Sequence, residues 1–185
     1  MEKKIKISIS GAAEIKNCIN NIEELCKKIG KALAKNDVIV ITGATTGVPY
    51  LVAKSAYENG AEVLGFSPAK DEEEHKNIYE LPTDYHKIIF YTGTGHSLRN
   101  LLLIRAGDAA LFICGRTGTL NEFIIAFEEK KPMGILVGSG GEEKNMDEII
   151  KESCKEHNKI IWEKDPEILV EKLINLVKND LHKNL

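Results

Sequence analysis

Four short segments combine glycines with hydroxyl side chains in a way that could hold an anion. They are Ser10-Gly11-Ala12-Ala13, Thr42-Gly43-Ala44-Thr45-Thr46-Gly47, Thr92-Gly93-Thr94-Gly95-His96-Ser97 and Gly115-Arg116-Thr117-Gly118-Thr119. Each runs into a helix-length stretch, so its free N–H groups would stand at a positive helix end, where phosphate is favoured. One such loop serves a tight turn as readily as a ligand; four at the ends of strands in one sheet point to a phosphate or nucleotide site. No G-x-G-x-x-G or G-x-x-x-x-G-K-[ST] occurs, which removes the main support for hydride transfer and ATP hydrolysis.

Charged residues stand among these loops. Glu122 falls on the first turn after the fourth of them and Arg99 on the first turn after the third, and both are expected to point toward the ligand crevice. Thr119-Leu120-Asn121-Glu122 also fits a capping box, with Thr119 as N-cap and Glu122 reaching back to it. Arg99 could equally pair with a surface carboxylate, and Asn100 beside it could make a polar contact or a structural hydrogen bond. Arg116 could clamp a phosphate bidentately or lie in solvent. His96 is the one histidine in these loops; His75, His86, His157 and His182 have no companions at metal spacing, and no metal site is expected. Ser10 and Ser97 lack the setting of a nucleophile elbow.

Positioning these loops requires strands that deliver them to one edge. Short β-branched runs at Ile5–Ser10, Val38–Thr42, Glu62–Phe66, Lys87–Tyr91, Ala109–Cys114, Met133–Val137 and Lys159–Trp162 alternate with amphipathic stretches, the pattern of βαβ units. The expected fold is a single Rossmann-like α/β domain over 1–185, a three-layer αβα sandwich on a mostly parallel sheet of about seven strands. The first helix is expected over about Glu14 to Lys35, with Cys18 and Cys26 on it. The last is expected from Pro166 to about Lys178, capped by Asp165, and Asn145 is a further candidate cap. Only Ser67 to Asp84, with the acidic run Asp71 to Glu74, is left as a lid or a solvated loop.

The chain has 185 residues, 43% hydrophobic and 29% charged, enough for one core without a disulfide or metal staple. A net charge of −3 argues against nucleic acid and anionic membranes as partners. Cys18, Cys26, Cys114 and Cys154 form no C-x-x-C pair, so reduced thiols are expected, with Cys114 as an inert core thiol. The N-terminal apolar stretch is too short for a signal peptide, and a cytoplasmic location is expected.

The motifs resemble the LONELY GUY (LOG) family, long misnamed possible lysine decarboxylases, within the SLOG superfamily that includes the molybdenum cofactor carrier proteins. The likeness runs over roughly Ile5 to Val137. The signature P-G-G-x-G-T-x-x-E reads Cys114-Gly115-Arg116-Thr117-Gly118-Thr119-Leu120-Asn121-Glu122, and Thr42 to Gly47, Leu51-Val52-Ala53-Lys54 and Gly65-Phe66-Ser67-Pro68 match further motifs. Arg99 matches the arginine that accompanies the catalytic glutamate.

The resemblance implies a nucleoside 5′-monophosphate phosphoribohydrolase, with Glu122 and Arg99 catalytic. Gly11, Gly43, Thr45, Thr46, Gly47, Asn100, Gly115, Arg116, Thr117, Gly118 and Thr119 would bind phosphate or nucleotide. It also implies a homodimer or higher homo-oligomer, and no cofactor is required. Cys114 and Arg116 replace a proline and a glycine of the signature, and Pro49-Tyr50 replaces Met-Gly. These departures resemble the carrier side of the superfamily, which implies the alternative of a non-catalytic carrier or sensor of a phosphorylated pterin or nucleotide. Nothing marks a pyridoxal-phosphate lysine.

Overall fold

The computed structural model describes residues 4–153 and 157–183; Cys154 and the side chain of His182 fall outside that description. Strands β1 (Lys6–Gly11), β2 (Ile39–Thr42), β3 (Glu62–Ser67), β4 (Ile88–Tyr91), β5 (Ala109–Ile113), β6 (Met133–Leu136) and β7 (Ile160–Glu163) form one sheet, in the order β4-β3-β2-β1-β5-β6-β7. Every pairing is parallel. All seven strands stand within one residue of their expected ends, because each short apolar run is bounded by turn or helix-start residues.

Helices α1 (Ile22–Lys35), α2 (Val48–Glu58) and α7 (Pro166–Lys183) cover one face of the sheet. Their buried Cys26, Ile29, Leu33, Val52, Ala56, Leu169 and Leu173 pack on Ile7, Ile9 and Val40. On the other face α4 (Gly95–Ala106), α5 (Thr117–Glu128) and α6 (Glu143–Glu152) bring Ile104, Phe123, Phe127 and Met146 onto Ala110, Phe112 and Ile135. Residues Ala109 to Ile113 of β5 are buried throughout, as a strand covered on both faces must be. The result is the Rossmann-like α/β sandwich the pattern implies.

The order of strands fixes where a ligand can enter. The chain builds outward from β1 to β4, then returns through α4 to lay β5 on the other side of β1. Connections therefore leave β1 and β5 in opposite directions, and a crevice opens between their carboxyl ends.

Local departures have tertiary causes. The chain after β1 does not enter a helix at Glu14; it makes a 3₁₀ turn at Ile15–Asn17, and α1 starts at Ile22. Cys18 therefore lies ahead of α1, while Cys26 lies on it. Residues 12 to 19 are drawn across the sheet edge by Ala12 N–H donating to the Cys114 carbonyl (2.7 Å) and Ile19 N–H to the Ser139 carbonyl (3.1 Å). Asp165 caps α7 as expected, its Oδ1 accepting from Glu167 N (2.9 Å) and Ile168 N (3.0 Å). Asn145 does not cap α6; the helix begins two residues earlier, and the Asn145 amide donates to Glu142.

The segment 67–84 is neither bare loop nor free lid. It contains a short helix, α3 (Glu72–Asn77), capped by Asp71, whose Oδ1 accepts from Glu74 N at 2.8 Å. His75, buried beneath it, lies 2.8 Å by Nδ1 from Ser67 Oγ and 3.0 Å by Nε2 from the Pro82 carbonyl. The carbonyl can only accept, so Nε2 carries a proton.

Candidate functional site

The crevice between β1 and β5 is a cavity of about 360 Å³. This lies within the range that encloses small molecules. Its walls include Gly11, Ala12, Ala13 and Glu14 after β1, Gly43 and Thr45 after β2, His96, Arg99 and Asn100 on α4, and Arg116 to Thr119 with Glu122 on α5. Three of the four glycine and hydroxyl loops thus converge. From the loop after β4 only His96 reaches the cavity, because β4 is the edge strand, separated from β1 by β2 and β3.

Several expected contacts fall elsewhere. Thr46 donates to the Ala13 carbonyl (2.9 Å), and Gly47 precedes α2 with φ of 68°, a backbone that favours glycine. Gly115 packs under Thr119, whose Cβ would stand 2.7 Å from an added methyl. These three build the walls without lining them. Gly118 is different: an added methyl there meets nothing within 4 Å, so its surface is open to the cavity.

Glu122 forms no capping box. α5 begins at Thr117 with Arg116 at the N-cap, one turn earlier than that reading needs, which turns Glu122 inward. Its Oε2 accepts from Ser10 Oγ, and its Oε1 lies 3.4 Å from Arg99 Nη1. The Asn100 amide completes the set: with its nitrogen toward the carboxylate it donates to Glu122 Oε1 and to the His96 carbonyl, each at 3.0 Å. The opposite orientation would set an amide oxygen against a carboxylate.

Arg99 and Glu122 are 7% and 6% exposed, so Arg99 is no surface arginine. Burial pushes the Glu122 carboxyl above its usual value, opposed by the Arg99 charge and the Ser10 hydroxyl. Burial draws Arg99 down from its usual value, yet a guanidinium begins high enough to stay charged. Arg99 Nε is buried and makes no hydrogen bond, although the Arg99 side chain borders the cavity. His96 is pushed down by burial and by the charge of Arg99, so it is a neutral group near pH 7.

At the mouth Arg116 is half-exposed and pairs with Glu14 at 3.2 Å, and Glu14 also holds Lys16 at 3.0 Å. Arg116 therefore borders the cavity from an ion pair and does not lie free in solvent. Sequence reasoning placed Ser10 in the first of the four loops without foreseeing its contact with Glu122, and it missed Glu14. Ser10 carries a signal in its place beside Gly11 at the end of β1; Glu14 carries none.

The expectation of reduced thiols is also corrected. Cys18 and Cys114 form a disulfide with a Cα–Cα distance of 5.6 Å, across a sequence separation of 96. The spacing gave no hint of it, because only the strand order sets the loops after β1 and β5 side by side. Cys26 is the free cysteine among the described residues, with its thiol pushed up to about 12 by burial. Cys114 has φ of 38°, which proline, fixed near −65°, cannot adopt. The backbone entering the α5 loop therefore differs from any that could carry the signature's proline at this position.

Among the described residues no group of three His, Cys, Asp or Glu is placed to hold a metal, and no helix is long and apolar enough to cross a membrane. A relative from Archaeoglobus fulgidus, an uncharacterised protein, is 28% identical over 134 residues, covering 72% of this chain and 81% of that one. The molybdenum cofactor binding protein from Rippkaea orientalis has a TM-score of 0.76 at 22% identity, over 98% of this chain and 99% of that one. The Moco carrier protein from Chlamydomonas reinhardtii has a TM-score of 0.73 at 23% identity, over 98% and 99%. These two structural likenesses establish the shared fold. The family model of the SLOG cluster4 family matches residues 4–170, and the chain belongs to that family.

Proposed function

We propose that the crevice binds the phosphate-bearing end of a small heterocyclic ligand, a nucleotide or a phosphorylated pterin, and carries or senses it without turning it over. The observation that carries this reading is the engagement of Glu122: one oxygen accepts from Ser10 and the other faces Arg99 and Asn100. A carboxylate so occupied organises the floor, while the N-terminus of α5 at Thr117 and Gly118 opens to the cavity for an anion. Thr45 and Arg99 border the same cavity and add polar groups to it. Membership of the family and the cofactor-binding proteins of the same fold support the same ligand chemistry.

Hydrolysis of the N-glycosidic bond of a nucleoside 5′-monophosphate is the second reading, favoured by the burial of Glu122 beside Arg99 at the cavity wall. In that case Glu122 would release one oxygen to orient water or to stabilise the oxocarbenium-like ribosyl centre, with Arg99 holding the negative charge in place. Calorimetry with a panel of nucleoside 5′-monophosphates, followed by chromatography for free base, separates the two. Binding without base release supports a carrier; base release that vanishes in Glu122→Gln establishes the hydrolase.

A homo-oligomer fits either reading, with exposed Leu98 and Ile124 giving the adjoining helices α4 and α5 apolar surface. Sedimentation of Leu98→Glu beside the wild type tests it.

A further inference from the structure

We propose that the Cys18–Cys114 disulfide is a site of thiol–disulfide exchange with an external dithiol, and that breaking it loosens the crevice wall formed by the segment after β1. It rests on the ligand reading above only for its effect on affinity; the exchange itself does not depend on any ligand.

The two sulfurs bolt together the loops that leave β1 and β5 at the crevice. Cys114 is the residue between β5 and the Gly115-Arg116-Thr117 anion loop, and Cys18 ends the segment whose Ala13 and Glu14 face that loop across the cavity. Without the bond, the segment is still held at Ala12, by the Cys114 carbonyl, and at Ile19, by the Ser139 carbonyl. Between those points run Ala13 to Cys18, with exposed Glu14, Lys16 and Asn17, held otherwise by Thr46 on the Ala13 carbonyl, part-buried Ile15 on the core and a bridge from Cys18 to Gly140. These are few and mostly solvent-facing contacts, so the covalent link adds the strongest restraint on the 3₁₀ turn and on the Glu14 carboxylate opposite Arg116.

The same geometry selects the sulfur that reacts. Cys18 is part-exposed whereas Cys114 is 3% exposed, so an incoming thiolate reaches Cys18 Sγ. Attack there forms a mixed disulfide on Cys18 and breaks the bond to Cys114, which departs as a thiolate three residues ahead of α5, whose N-terminus favours negative charge. The second thiol of the reductant then attacks its own sulfur in the mixed disulfide and frees Cys18. The reductant leaves as its cyclic disulfide, its two protons end on the two cysteines, and two electrons have passed to the protein. Cys26, buried and with its thiol pushed up to about 12, stays out of the exchange.

The test uses the full chain and dithiothreitol, with peptide mapping by mass spectrometry after differential alkylation. Cys18 and Cys114 are expected to be linked before treatment and both labelled after it, at a concentration that leaves the fold intact by circular dichroism. Hydrogen exchange over residues 13–18 is expected to rise at least fivefold on reduction and in Cys18→Ser, with exchange in β1 and β5 unchanged. Free thiols at both positions after incubation with oxidised glutathione, or the same exchange in both redox states, would overturn the proposal. Where a nucleoside monophosphate binds, its affinity is expected to fall at least threefold on reduction. Equal affinity in both states overturns the coupling to the crevice, and absence of binding in both states counts against the ligand reading while the exchange result stands.

Discussion

The guanidinium of Arg99 rests against the backbone of Gly43, so closely that a methyl group added there would lie 2.8 Å from Cζ. Glycine at the end of β2 is thus what lets a charged side chain from α4 reach across to Glu122. Gly43→Ala is expected to expel the guanidinium, leave the carboxylate without its counter-charge, and cost about 3 kcal/mol of stability. Urea denaturation measures it; a loss under about 0.5 kcal/mol would mean that Arg99 shifts freely.

The raised pKa of Glu122 has a stability consequence of definite sign. A folded-state carboxyl above its unfolded value of 4.5 binds protons the unfolded chain has released, so its contribution to stability is full below that value. That contribution falls as pH rises through the folded-state pKa. His86, His96 and His157, all lowered from 6.5, act with the opposite slope as pH rises toward that value, and they cancel to first order when wild type and Glu122→Gln are compared. The stability of Glu122→Gln relative to wild type should grow as pH rises from 4.5 to the folded-state pKa and then level off, gaining about 1.4 kcal/mol for every pH unit between those two values. A difference constant across that range would show that Glu122 titrates normally.

Burial of His75 makes a different claim, about the segment over the outer strands. His75→Leu removes both the Ser67 and the Pro82 contacts and leaves the Ser67 hydroxyl proton and the Pro82 carbonyl without that partner, which is expected to cost about 2–4 kcal/mol. Hydrogen exchange should quicken over residues 68–84 more than in the central strands. Uniform change across the chain would refute a local clamp.

Cys26 supplies a simple chemical check. With its thiol pushed up to about 12, iodoacetamide at pH 8 is expected to leave it unmodified in the folded protein and to label it fully in guanidinium. Labelling of the native state would place Cys26 nearer solvent than α1 allows.

Much of this protein is legible in its residues. Short β-branched runs, the Asp165-Pro166 start and the apolar spacing of α1 report local preferences, and a parallel sheet buried on both faces amplifies them, so the strands emerge near their expected ends. Glycine and threonine at strand ends likewise marked the loops that line the crevice, since those residue types are what close backbone approach requires. Tertiary structure decided what depends on partners distant in the chain. The return of α4 set β5 against β1, and only that adjacency brings Ser10 and Arg99 to Glu122, Glu14 to Arg116 and Cys18 to Cys114. It also overruled the local signals for a helix at Glu14 and a capping box at Glu122, because hydrogen bonds across the crevice and a buried counter-charge outweigh the modest propensities that one stretch of sequence can express.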